Sequence, residues 1–95
     1  MNLKELHTEE KAVSATSLFK NEHANNMAIQ ILEGEQLKEH STKVPALLIC
    51  VEGEVIFENE EGAKETLLPG DYVNIEAMVK HWVSGVTKSQ LVLLR

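Results

Sequence analysis

The sequence predicts an all-β domain, a sandwich or small barrel built from short strands. Val, Ile and Leu are plentiful but fall in short runs. Those runs are broken by Gly, Pro, Asn and Asp, and the breaks recur at the spacing of hairpin-linked strands. A chain of 95 residues makes one domain near the lower end of what buries a self-sufficient core, so it gains from dimerising.

Residues 1–12, charged and weakly periodic, read as a mobile arm or one short helical turn ahead of a barrel domain at 13–95. The pattern becomes strand-like from Val13 to Phe19, and Lys20 to Asn26 has the Asn-rich polarity of a hairpin loop, with His23 exposed in it. Met27, Ile29 and Ile31 alternate with Ala28 and Gln30, which gives the next strand one clearly apolar face before Gly34. A short strand then runs to His40, and Ser41 to Pro45 turns into an almost wholly apolar strand, Ala46 to Glu52. After Gly53, Val55 and Phe57 alternate with Glu54 and Glu58, and Asn59-Glu60-Glu61-Gly62 supplies a tight turn with Gly where a positive φ is needed. Residues 63–68 return, Pro69-Gly70-Asp71 turns again, Tyr72 to Ile75 is apolar, and a break at Glu76 to Val79 precedes His81 to Val83. Leu91 to Leu94 completes eight or nine short strands. His40 and His81 are thus each placed on a strand beside a turn, where a barrel brings them together. Strict alternation puts Trp82 on the opposite face from His81, and His7 in the arm reads as a surface histidine.

The formal charge of −6 argues against nucleic acid as a partner, and the lysines are scattered singly rather than in a stripe. The polar amino terminus carries no apolar run of the signal-peptide kind, and no segment is long enough to span a bilayer, so a cytoplasmic protein without membrane contact is expected. One cysteine cannot form an internal disulfide, which agrees with a reducing compartment.

Two stretches carry a resemblance to a known family. Gly34, the five residues EQLKE, His40 and Gly53 fall in register with a first motif of the form Gly, five residues, His-x-His, three or four residues, Glu, six residues, Gly. Pro69, Gly70, Asp71, Ile75, Ala77 and His81 fall in register with a second, in which Pro-Gly-Asp leads through an apolar strand and Pro-Ala-Gly to a histidine. On these residues the chain resembles the cupin superfamily, in particular its short single-domain conserved-barrel proteins, from about Val13 to Leu94. The resemblance implies a double-stranded β-helix, or jelly-roll, barrel and a site inside it. It also implies a divalent metal ion, for which iron, manganese, zinc and nickel are the candidates, normally held by three histidines and a glutamate. Here Thr42 stands at the second histidine's place and Ala46 at the glutamate's, so His40 and His81 alone remain of the ligand set. Glu76, Met78 and Lys80 replace the usual Pro, Gly and Pro before His81, which predicts a turn of different shape.

Two imidazoles in a barrel either hold a metal weakly, with Glu76 as a conceivable third ligand, or serve as hydrogen-bonded pocket lining that donates to a ligand carboxylate. Since Ala46 faces inward by analogy, alternation puts Leu48 and Cys50 on the same inner face. Cys50 is then a soft ligand or nucleophile, or simply a small buried hydrophobe. Thr42 points inward by the same parity, either toward a ligand or as an ordinary strand residue. The expected pocket is His40, Thr42, Leu48, Cys50 and His81. The first function expected is a small-molecule binding module for a small polar metabolite or anion. The second is a metal-dependent oxygenase or isomerase using His40 and His81, or a metal-free isomerase with histidine as base. A third is a structural dimer with a vestigial cavity. Leu47, Ile49 and Val51 fall on the outer face of their strand and need a cover, either the strand from Val13 to Phe19 or a second subunit, so a homodimer is expected.

Overall fold

The computed structural model describes residues 1–95 and is almost entirely β. Nine strands follow one short 3-10 turn: β1 Val13–Lys20, β2 Asn25–Ile31, β3 Gln36–His40, β4 Ala46–Glu52, β5 Val55–Asn59, β6 Lys64–Leu67, β7 Tyr72–Ile75, β8 His81–Gly85 and β9 Ser89–Leu94. They form two antiparallel sheets, one in the order β1-β2-β9-β4-β7 and the other β3-β8-β5-β6. The inward residues of both sheets make a single core. Ile29, Ile31, Leu48, Cys50, Leu91 and Leu93 of the larger sheet face Val55, Phe57, Leu67 and Val83 of the smaller, and alternation along each strand sends the polar residues out.

The turns follow local chemistry. Asn59 Oδ1 accepts from the Glu61 and Ala63 amides at 2.9 and 3.0 Å, and Gly62 closes that turn at φ 92°. Asp71 Oδ2 accepts from Leu68 N at 2.9 Å, while the Gly70 and Asp71 backbone exchanges hydrogen bonds with Cys50 and so ties the turn to β4. Gly53 is required twice over, since it holds φ 87° and any Cβ there would collide with Ser89.

Of the two readings of residues 1–12, the structure has the short helical turn: Leu3–Leu6 is 3-10, capped by Asn2, and lies against the outer face of the larger sheet with Lys4 Nζ 3.4 Å from Glu52. Two other expectations need correction. His7, read as a surface histidine, is buried there with Nδ1 2.8 Å from Ser14 Oγ, next to a buried amide pair in which Gln90 Nε2 donates to Gln30 Oε1 at 2.8 Å. The segment Val13 to Phe19 does not cover β4 either. It pairs edge to edge with β2 and extends the sheet, so the outer face keeps Phe19, Val51 and Tyr72 exposed.

Candidate functional site

The site starts from one irregularity in a strand pair. Leu37 lies opposite Val83, and regular pairing would set Glu39 opposite His81; a bulge in β3 adds one residue, so that His40 is opposite His81 instead. Without the bulge, Leu37 and His40, three residues apart, would face opposite sides of the sheet. With it, both point inward, and the two imidazole rings stand 4.2 Å apart between centroids, tilted by 59°.

Each ring is held by backbone on one side. His40 Nδ1 is 2.9 Å from the Lys38 carbonyl, and His81 Nδ1 is 3.4 Å from the Val79 carbonyl. A carbonyl only accepts, so Nδ1 carries the proton in both rings, and each Nε2 is left with a lone pair and no partner in the protein. Phe57 stacks on His81 at 5.7 Å and 27°. The tip of the β5–β6 hairpin fixes the approach to β8, with Glu60 Oε2 accepting from Lys80 N at 2.7 Å and Glu60 N donating to Lys80 O at 2.9 Å. The altered turn before His81 is strained. Met78, where the resembled motif has glycine, takes φ 68°, a conformation that costs an L-residue about 1–2 kcal/mol, and its amide donates to Thr42 O at 2.7 Å.

The pair lines a cavity of about 230 Å³ whose remaining wall is mostly apolar, including Ile29, Leu37, Leu48, Ile75, Val83 and Leu93, with Arg95 at its edge. His40 and Arg95 also line a second, more open groove of about 570 Å³ outside the mouth, so the two spaces meet at these residues. Of the five residues expected in the pocket, His40, Leu48 and His81 line the cavity and two do not. Thr42 lies past the end of β3, where strand parity no longer holds. It lines the outer groove, and its hydroxyl donates to Val44 O at 2.8 Å. Cys50 sits two residues beyond Leu48, about 7 Å further along β4, fully buried with its thiol toward the Glu52 and Gly53 carbonyls. Burial first, and then the Asp71 carboxylate, push that thiol above its ordinary value, so it is a protonated core residue rather than a nucleophile. Arg95 went unrecognised in the sequence because no motif marks it; the pairing of β9 with β2 carries it to the mouth, where Asn26 Oδ1 accepts from its amide at 3.3 Å.

These residues do not fit a four-ligand metal centre. No third His, Cys, Asp or Glu joins the pair, Ala46 offers no donor atom, the Thr42 hydroxyl is engaged with Val44, and Glu76 is exposed outside the cavity. What the arrangement offers is two lone pairs in an apolar enclosure.

Solved structures support the fold independently. A cupin superfamily protein from Desulfitobacterium hafniense superimposes with a TM-score of 0.84 at 17% identity, over 97% of this chain and 84% of that one. This chain has the cupin fold. A protein from Neisseria meningitidis matches it at TM-score 0.80 and 20% identity, over 99% of this chain and 95% of that one. A cupin-2 domain containing protein from Shewanella frigidimarina matches at 0.80 and 13% identity, over 100% and 92% of the two chains. No protein-family model matches the sequence, and no curated protein is significantly similar to it. At such identities the likeness extends to the cupin barrel and not to its chemistry.

Burial, then the charge of His40, lowers the His81 pKa below the ordinary 6.5, with the Val79 carbonyl acting in the opposite sense. Burial lowers His7 likewise. For both, the unfolded chain binds the proton more readily than the folded one, so stability is full above the unfolded value and is lost as pH falls through and below 6.5. The urea midpoint should therefore drop between about pH 7 and about pH 5. The drop should shrink in His81→Gln and shrink further when His7→Gln is added; a profile that none of these changes alters would contradict the assignment.

Proposed function

We propose that this cupin barrel binds a small polar metabolite or anion in the cavity between its sheets, with His40 and His81 as the polar contacts and Leu48 in the apolar wall. The observation that carries this reading is the imidazole pair, 4.2 Å apart, with both Nε2 atoms unpartnered at an otherwise apolar cavity. A mostly apolar concavity with a few convergent polar groups is the usual form of a small-molecule site. The exposed mouth gives a ligand access to His40, while His81, 2% exposed, lies behind it.

A metal-dependent enzyme of oxygenase or isomerase type is the second reading, and the free Nε2 pair is what favours it. Two nitrogen ligands hold a divalent ion weakly, so it ranks below the first. Elemental analysis of untagged protein, run beside thermal shifts with a metabolite library, separates the two. The binding reading expects metal well below one equivalent, unchanged in the His40→Ala, His81→Ala double variant, and at least one metabolite whose shift the double variant loses. Near-stoichiometric iron, manganese, zinc or nickel that disappears in the double variant would replace it with the enzyme reading.

The exposed face of the larger sheet supports a homodimer. Phe19, Val51 and Tyr72 lie 60, 44 and 63% exposed on or beside it, a burden that a twofold partner would relieve. Light scattering at micromolar concentration should give twice the chain mass, with Tyr72→Glu shifting it toward the monomer. A clean monomer of the unaltered chain would remove the proposal.

A further inference from the structure

The charge around the mouth narrows what the cavity takes. The protein carries a net charge of −6, yet the outer groove is walled by Lys20, Lys43 and Arg95, which outnumber the Glu22 side chain and the main-chain carboxylate of Arg95. Glu22 is itself turned to His23, 3.1 Å from its Nε2. The cations engaged in ion pairs are elsewhere: Lys4, Lys11, Lys80, Lys88 and the amino terminus take the remaining pairs, and Lys20, Lys43 and Arg95 take none. Three unpaired cations at a concave opening of an acidic protein concentrate positive potential there and draw an anion to it. Arg95 is the one of the three that also borders the inner cavity, and its planar fork suits a carboxylate held by two parallel hydrogen bonds.

Behind Arg95 the requirements change. About 230 Å³ holds roughly seven or eight waters at about 30 Å³ each, and thus an organic body of similar size. Its wall is aliphatic apart from the histidines, and a second charge there would be buried without a counter-ion. With Nδ1–H turned to backbone carbonyls, the histidines present acceptors, so the ligand must bring the donor. This reverses the sequence-based expectation that the imidazoles donate to a carboxylate.

Resting on the binding reading above, we infer that the ligand is a small amphiphilic carboxylate. Its carboxylate sits on Arg95 at the mouth, its uncharged apolar body fills the cavity, and a hydroxyl or N–H at its far end donates to the histidine pair.

The test is isothermal titration of the full chain with 4-hydroxybenzoate, 4-hydroxybutanoate and 3-methylbutanoate, each beside its primary amide, and with benzoate. At least one hydroxylated carboxylate should bind tenfold or more tightly than its amide, and 4-hydroxybenzoate more tightly than benzoate. Arg95→Gln, which keeps the backbone hydrogen bonds of that residue, should remove most of the preference over the amide, as should raised ionic strength. Amides that bind as well as the acids, benzoate that equals 4-hydroxybenzoate, or a preference untouched by Arg95→Gln would each overturn the inference while leaving the cavity a binding site. Failure of every acid and every amide to bind would overturn the inference and count against the binding reading with it.

Discussion

The bulge in β3 is the constraint on which the site depends. One extra residue between Leu37 and His40 moves His40 from the solvent face to the inner face and sets it directly across from His81. Everything else at the site follows from that pairing. The two rings stand 4.2 Å apart, and the carbonyls of Lys38 and Val79, which can only accept, place a proton on each Nδ1. The result is a pair of neutral rings that present their Nε2 atoms as acceptors.

Around this pair the barrel is arranged so that polarity falls from outside to inside. Unpaired cations stand at the mouth, a half-buried His40 at the junction, a buried His81 behind it and aliphatic side chains beyond. The Glu60–Lys80 contacts and the strained Met78 turn hold the start of β8 in place from the smaller sheet. The opposite side of the molecule solves a separate problem. The larger sheet has two apolar faces, only one of which meets the core; the amino-terminal turn and His7 cover part of the other, and Phe19 and Tyr72 remain open beyond it.

The sequence made the strands and turns legible because both are local. Short apolar runs bounded by turn residues mark Ala46 to Glu52 and Tyr72 to Ile75 with the bounds the structure has, and Gly53, Gly62 and Gly70 stand at positive φ in the turns that the sequence predicts. The histidines were legible as a pair through the two motifs. The details that decide their chemistry were not. Nothing in the five residues Gln36 to His40 announces a bulge, since bulges are fixed by what the partner strand requires. Parity carried past the end of β3 misplaced Thr42, and carried along β4 it gave the correct face for Cys50 but not its depth, because alternation says nothing about position along the barrel axis. Arg95 and His7 come to their places through pairing and packing with residues distant in sequence, which no local pattern in their own segments records.

The account turns on which ring nitrogens carry the protons, and nitrogen-15 NMR of the histidine side chains in mildly alkaline solution measures this directly. His40 and His81 should both be in the Nδ1–H tautomer, with Nε2 unprotonated and its resonance moving when a ligand donor is supplied. Nε2–H in both rings would contradict the account, because the cavity would then present donors and both the arrangement of the pair and the ligand drawn from it would be wrong.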